Sequence, residues 1–209
     1  MNTANIDLIK LAWEDTKENL GLLIGALVIY LLVSSVPSFI LPDSASTGFS
    51  IVIGGPFSLG LAYFALSVVR KQDTKIVLIF EGFKHFLKAI TAQIFIGVLV
   101  VVGLILLVVP GIMAAIMFSQ TFYIMADDEE LTAKEAMAKS KDMMEGYKKK
   151  YFGLILLFLG LILLSAFTLF LGLIVLIPIM QITLAKFYIE LKGGDESSIE
   201  DQLESNLLG

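Results

Sequence analysis

An all-α, polytopic membrane fold is what this sequence predicts: six transmembrane helices arranged as three hairpins, with cytoplasmic amphipathic helices. Three observations predict it. The 209-residue chain is 57% hydrophobic and 17% charged, with mean hydropathy +0.87. A soluble domain averages about 45–50% apolar, counting Gly, and about 25% charged. Second, the excess is gathered into six runs, at 20–41, 51–69, 86–109, 111–126, 151–171 and 173–191. Third, all 15 lysines and arginines fall in alternate gaps between those runs or, for Lys88 and Lys186, in the run ends that face those gaps. Lys10 and Lys17 precede the first. Arg70, Lys71, Lys75 and Lys84 lie between the second and third, with Lys88 at the start of the third. Lys134, Lys139, Lys141, Lys148, Lys149 and Lys150 lie between the fourth and fifth, and Lys186 and Lys192 close the last. Basic loops resist translocation and stay cytoplasmic. Six crossings with both termini inside follow.

Each element has its own reason. Helices are the only open-ended elements that cross lipid, because every backbone N–H and C=O must pair internally. The stretches 86–126 and 151–191 are each 41 residues long. As single helices each would reach about 60 Å, twice the hydrocarbon thickness of about 30 Å. Each is therefore a hairpin. Val109-Pro110-Gly111 reads as the turn of one and Gly172 as the turn of the other. The first external loop reads as 42–50, rich in Ser, Gly and Pro, with Asp43 as its only charge. The first apolar run, starting near Leu20, is longer than a signal-peptide core of about 7–15 residues. No cleavable leader is expected.

Three segments between the runs carry helical spacing. Residues 5–20 place Ile6, Ile9, Trp13, Thr16 and Leu20 on one side. Residues 73–90 place Ile76, Ile79, Phe80, Phe83, Leu87 and Ile90 on a stripe. The third opens with a capping box of Thr132 and Glu135 and has Ala133, Ala136, Met137, Met144 and Tyr147 on its apolar side. Such helices can lie in the headgroup layer or pack under the bundle. The domain reading is one membrane domain, 1–192, and an acidic cytoplasmic tail, 193–209. The tail reads as solvated chain. The alternative is a docking helix through Ile199, Leu203 and Leu207. Pro56, Pro110 and Pro178, with Tyr63-Phe64, Phe122-Tyr123 and Phe187-Tyr188, recur with a period of about 60–67 residues. Three repeat units, 1–70, 71–130 and 131–192, would explain them.

The chemistry is thin. There is no cysteine and a single histidine, His85. His85 reads as an interfacial surface residue, with no second imidazole to build a zinc set. No phosphate loop, His-Glu-x-x-His or Gly-x-Ser-x-Gly occurs. No catalytic residue, cofactor or metal site is expected. The net charge of -5 argues against nucleic acid as a partner, which needs a basic face. Asp127-Asp128-Glu129-Glu130 reads as favourable charge beside the positive end of the helix starting near Ala133. A divalent-cation site is the sharper alternative. Lys148, Lys149 and Lys150, with Lys84 and Lys88, read as contacts to lipid headgroups. Each lysine near an anionic leaflet is worth about 1 kcal/mol.

Within the runs the polar residues are Gln93, Ser119, Gln120, Thr121, Ser165, Thr168, Gln181 and Thr183. No carboxylate sits near a run's centre, as ion-coupled transport usually requires. Gln93, Gln120 and Gln181 read as interhelical hydrogen-bonding residues, each typically worth about 0.6–2 kcal/mol; lining a polar path is the alternative. Lys186 reads as a snorkelling cation four residues from Glu190. Gly21 and Gly25 form a GxxxG that would let helices approach closely.

Val109-Pro110-Gly111, Ser119-Gln120-Thr121-Phe122-Tyr123-Ile124-Met125-Ala126-Asp127 and Ala136-Met137-Ala138-Lys139-Ser140-Lys141-Asp142-Met143-Met144-Glu145-Gly146 form a distinctive block. With Gly54-Gly55-Pro56-Phe57-Ser58-Leu59-Gly60 and Ala185-Lys186-Phe187-Tyr188-Ile189-Glu190-Leu191, it resembles the bacterial integral-membrane family called domain of unknown function 975. The resemblance implies a six-helix protein of a Gram-positive plasma membrane and carries over no functional residue. A looser likeness is to the membrane domains fused to glycerophosphodiester phosphodiesterases, whose hydrolase part has no counterpart here. The expected role is non-enzymatic, acting in the bacterial envelope through membrane lipids, a protein partner or a homo-oligomer. The alternative is a small transporter or channel for an apolar or amphipathic solute, a lipid or a peptide.

Overall fold

A computed structural model describes residues 3–40, 42–168 and 171–208, without the side chains of 36–38, 43, 44, 168 and 194–208. Its helices are α1 (Asn5–Glu18), α2 (Leu20–Ile40), α3 (Asp43–Val69), α4 (Phe86–Leu106), α5 (Val108–Met117), α6 (Thr121–Asp127), α7 (Ala133–Met143), α8 (Lys148–Ser165) and α9 (Leu173–Leu208). A 3-10 helix, Ile76–His85, leads into α4, and a short one, Ala166–Thr168, follows α8. No strand occurs among the described residues. By length and composition Ala45–Val69, Ile76–Leu106, Val108–Asp127 and Leu173–Gly193 can each cross a membrane. A fifth arises if α1 and α2, bent by 91° at their junction, count as one. Helix α8 starts with three lysines, which leaves its apolar part the shortest of the remaining runs.

Helix α3 is the hub, and glycine is the reason. A Cβ on Gly60 would lie 1.9 Å from the Ile79 carbonyl oxygen, and one on Gly82 would lie 2.0 Å from that of Pro56. A Cβ on Gly55 would lie 2.5 Å from the Ala89 carbonyl oxygen. The backbones of α3, the 3-10 helix and α4 therefore touch directly. Side chains three apart eclipse in a 3-10 helix, which stacks Ile79 and Gly82 in one buried line against α3. Phe57 of α3 closes the contact with edge-on rings of Phe80 and Phe83 at 5.8 and 5.1 Å.

This packing corrects the expectation for residues 73–90. Residues 76–85 are a 3-10 helix and 86–90 begin α4, with the Gly82 backbone set directly against α3. Leu87 is 76% exposed, although the stripe put it with the buried Ile79. The turn expected at Val109-Pro110-Gly111 lies earlier. Leu107 alone is extended (φ -162°, ψ 142°). Pro110 sits in the first turn of α5, where its missing N–H is no loss. Gly111 instead packs on α4: a Cβ on Gly103 would lie 2.8 Å from the Gly111 Cα.

Other expectations shift as well. The 42–50 loop is absorbed into α3, whose first turn bonds back to the Pro42 carbonyl from Ala45 and Ser46 at 2.9 Å. Gly172 lies in the turn just before α9; its carbonyl accepts from Leu176 N–H at 2.9 Å. Of the GxxxG pair, only Gly25 is close to a neighbour, the Ile76 side chain, while Gly21 faces open space. Helix α1 buries Leu8, Ala12, Asp15 and Thr16 and leaves Ile6 and Trp13 exposed. Of the expected stripe, Thr16 is buried and Ile9 packs against the core, while the packed face shifts from Ile6 and Trp13 toward Leu8 and Ala12. The backbone of the acidic tail continues α9 as far as Leu208.

The capping box is present: Glu135 N–H donates to Thr132 Oγ1 at 3.3 Å, and Thr132 N–H to Glu135 Oε2 at 2.8 Å. Those bonds from Thr132 hold the Glu135 carboxyl below its ordinary range. Ala133, Ala136, Met137 and Met144 are buried, as the spacing requires.

The glycine contacts make a direct prediction. Gly60→Ala should cost about 3 kcal/mol or more through overpacking against a backbone carbonyl that cannot move aside. Gly21→Ala should stay within about 0.5 kcal/mol. Thermal unfolding of the detergent-purified variants, followed by size exclusion, checks the contrast; equal midpoints would refute it.

Candidate functional site

The basic gaps of the sequence meet at one pole of the bundle. Asp127, at the end of α6, is the centre, with a side chain 9% exposed. Its Oδ1 pairs with the Arg70 guanidinium at the end of α3. Its Oδ2 accepts from the Tyr188 hydroxyl and from Lys192 Nζ, both of α9 and both at 2.8 Å. One carboxylate therefore ties three helices by charge-assisted bonds. Two residues on, Glu129 accepts from the Tyr63 hydroxyl at 2.8 Å and faces His85 Nε2 at 3.3 Å. Lys88 donates to the Glu129 backbone carbonyl. The ring of Tyr123 stacks on that of Tyr188, centroids 5.9 Å apart.

The acidic run therefore does not act as a unit beside α7. Asp127 turns into the bundle, Glu129 stays largely exposed while it bridges Tyr63 and His85, and Asp128 accepts from Glu130 N–H at 3.2 Å. Among the described residues no group of three His, Asp or Glu could hold a metal ion.

A second polar seam fastens α1 to α9. Lys186 Nζ lies 2.6 Å from Asp15 Oδ2, with side chains 18% and 9% exposed. Lys186 is thus paired inward with α1, which corrects the snorkelling expectation. Glu190 accepts from Thr3 N–H at 2.9 Å and faces Lys150 Nζ at 3.9 Å. Asn5 Nδ2 donates to the Lys150 carbonyl at 2.9 Å. The Lys186–Glu190 pair expected along α9 is replaced by these contacts between elements.

The three glutamines go separate ways. Gln120 is fully buried where the fourth run breaks into α5 and α6. Its N–H donates to Ser140 Oγ of α7 at 3.2 Å, and its Nε2 to Ser119 Oγ at 3.0 Å. Ser140 returns a bond to the Met117 carbonyl at 2.8 Å. The freed backbone of the break is thereby satisfied by α7. Gln93 lies against Gly54 and Gly55 of α3. Gln181 lines a cavity of about 280 Å³ between α2, α3 and α9 that includes Tyr30, Ser58, Phe64 and Pro178. An adjoining pocket of about 140 Å³ shares Ser58 and Gln181 and reaches Ser119 and Tyr123. Its walls are mainly apolar, as in most small-molecule sites. The three glutamines share no common path.

The lysines assigned to headgroups also divide. Lys84 pairs with Glu81, Lys88 bonds to Glu129 and Lys150 faces Glu190. Lys148 and Lys149 instead flank a groove between α5 and α8.

Sequence reasoning took Asp127 as one member of the acidic run and missed it as the centre of the ion pairs. The signal was there: it is the first acidic residue after a run of apolar helix, and it is matched by Arg70 and Lys192 just past the other two late runs.

The comparisons with known proteins add one finding. A family model described as "Protein of unknown function (DUF975)" matches residues 94–194. The resemblance expected from the sequence is therefore shown over that segment, from the middle of α4 to the inner part of α9. No curated protein and no solved structure matches the chain.

Asp127→Asn should lower stability by about 2 kcal/mol, less than the 3–5 kcal/mol of a fully buried broken pair, because Arg70 and Lys192 remain partly hydrated. Asp128→Asn should change it by no more than about 0.5 kcal/mol. Chemical denaturation of both variants in one detergent measures the difference, and equal stabilities would remove Asp127 from the centre of the pole.

Proposed function

We propose that this chain, with its DUF975 segment at 94–194, is a non-enzymatic, six-span protein of the bacterial plasma membrane. It acts through contacts with lipids or with a protein partner, and both termini are cytoplasmic. The observation that carries this reading is the division of the surface. Large apolar side chains stand exposed along α2, α4, α5 and α8, among them Leu31, Val98, Val101, Ile105, Leu156 and Leu163. Apolar surface on this scale needs lipid or another protein against it. The ion pairs that join separate elements gather at the opposite extreme of polarity, around Asp127, Glu129, Asp15 and Glu190. Cations concentrated at one pole favour that pole as the cytoplasmic one.

The six spans are α2, α3, α4, the broken pair α5 and α6, α8 and the first part of α9. Helix α1, perpendicular to α2, would then lie along the inner surface. Its exposed Ile6 and Trp13 would face the headgroup layer, with Lys17 5.5 Å from the Trp13 ring. The recurring late aromatics fit three hairpin units, since α3, α6 and α9 converge through Tyr63, Tyr123 and Tyr188.

A small transporter or channel has less support. The cavity between α2, α3 and α9 favours it, but the sealed Gln120 and the separate Gln93 deprive it of a continuous polar lining.

The chain has no cysteine, so single-cysteine labelling needs no background removal. A membrane-impermeant maleimide should label Thr47→Cys on intact cells and label Lys75→Cys and Lys139→Cys only after permeabilisation. External labelling of either lysine position would overturn the topology and the functional reading with it.

A further inference from the structure

Between α5 and α8 runs a groove of about 460 Å³ whose walls include Ile112, Met113, Ile116 and Phe152. Its volume is that of a small-molecule site, and its wall side chains are apolar apart from Lys148 and Lys149. No acidic side chain lines it. Neither lysine has an ion-pair partner among the described residues, whereas neighbouring Lys150 faces Glu190. From Ile116 to Val109, the groove follows α5 for about 10 Å. Ile112, Met113 and Phe152 are each more than a third exposed, so the groove opens sideways off the bundle.

We infer that this groove binds an anionic phospholipid of the inner leaflet, its phosphate between Lys148 and Lys149 and one acyl chain along α5 and α8. The charge pattern selects this occupant. Two unpaired cations at one end of an otherwise apolar trough match a ligand with negative charge at one end and hydrocarbon at the other. A protein helix laid in the trough would leave both ammonium groups facing its apolar side. Lys84, Lys88 and Lys150 drop out of the headgroup set because each already has a carboxylate or carbonyl partner. The inference rests on the membrane reading above and narrows it to one site and one class of lipid.

The test uses the full chain in detergent, titrated with phosphatidylglycerol and separately with phosphatidylcholine, and reads bound lipid by native mass spectrometry. The wild type should retain phosphatidylglycerol in preference to phosphatidylcholine. Lys148→Gln with Lys149→Gln should lower that preference about tenfold or more, two cations being removed from the phosphate. Lys84→Gln with Lys88→Gln should leave it unchanged. Met113→Trp should lower retention of both lipids by filling the chain path, and Lys148→Arg with Lys149→Arg should restore the preference. Retention unchanged in the Lys148/Lys149 glutamine variant, or lost equally in the Lys84/Lys88 variant, would overturn the site. Cysteine labels that stay on the expected faces in that case would leave the broader membrane reading standing.

Discussion

The bundle depends on backbone touching backbone. Helix α3 presents Gly55 and Gly60 to Ala89 and Ile79, and receives Gly82 against the Pro56 carbonyl. In the proposed bilayer setting, apolar side chains gain nothing by leaving lipid for one another. Close approach and the dispersion contacts it permits must then hold helices together. A single added methyl at Gly60 would meet a carbonyl oxygen rather than a yielding side chain. The placement of the 3-10 helix, the start of α4 and the edge-on contacts of Phe57 with Phe80 and Phe83 all follow from that contact.

The second constraint is electrostatic and acts at the pole. Partly buried carboxylates need partners, and Asp127 finds Arg70, Tyr188 and Lys192 on two other helices. Asp15 finds Lys186 in the same way. These pairs do more than neutralise charge. They fix how α1, α3, α6 and α9 meet, because each bond requires its donor at one place. The glycine seam and the ion-pair pole thus divide the work: one sets how near the helices come, the other which ends meet.

The two features also bear on the lipid site. With Lys150 drawn toward Glu190 and Lys88 toward Glu129, the free basic charge near the apolar surface narrows to a few positions. Lys148 and Lys149 are the ones set at the end of a groove. A sequence shows three adjacent lysines as equivalents; the fold separates them, because successive residues of the first turn of α8 point in different directions around the helix.

Sequence alone determined the all-helical class, the apolar runs from which four or five membrane-crossing helices are built, and the Thr132–Glu135 cap. Each rests on local chemistry: hydrophobic length, helical spacing and one reciprocal pair of hydrogen bonds. It also determined that the 41-residue stretches break, because a continuous helix would be too long. Tertiary structure decided where they break. Leu107 rather than Gly111 leaves the helical conformation, since Gly111 is needed against Gly103. It decided that residues 76–85 wind as a 3-10 helix, that α1 buries Leu8 and Ala12 rather than Ile6 and Trp13, and that Asp127 is the ionic centre. Spacing along the chain could not reach these outcomes, because each depends on which atom of a distant segment occupies the adjoining space.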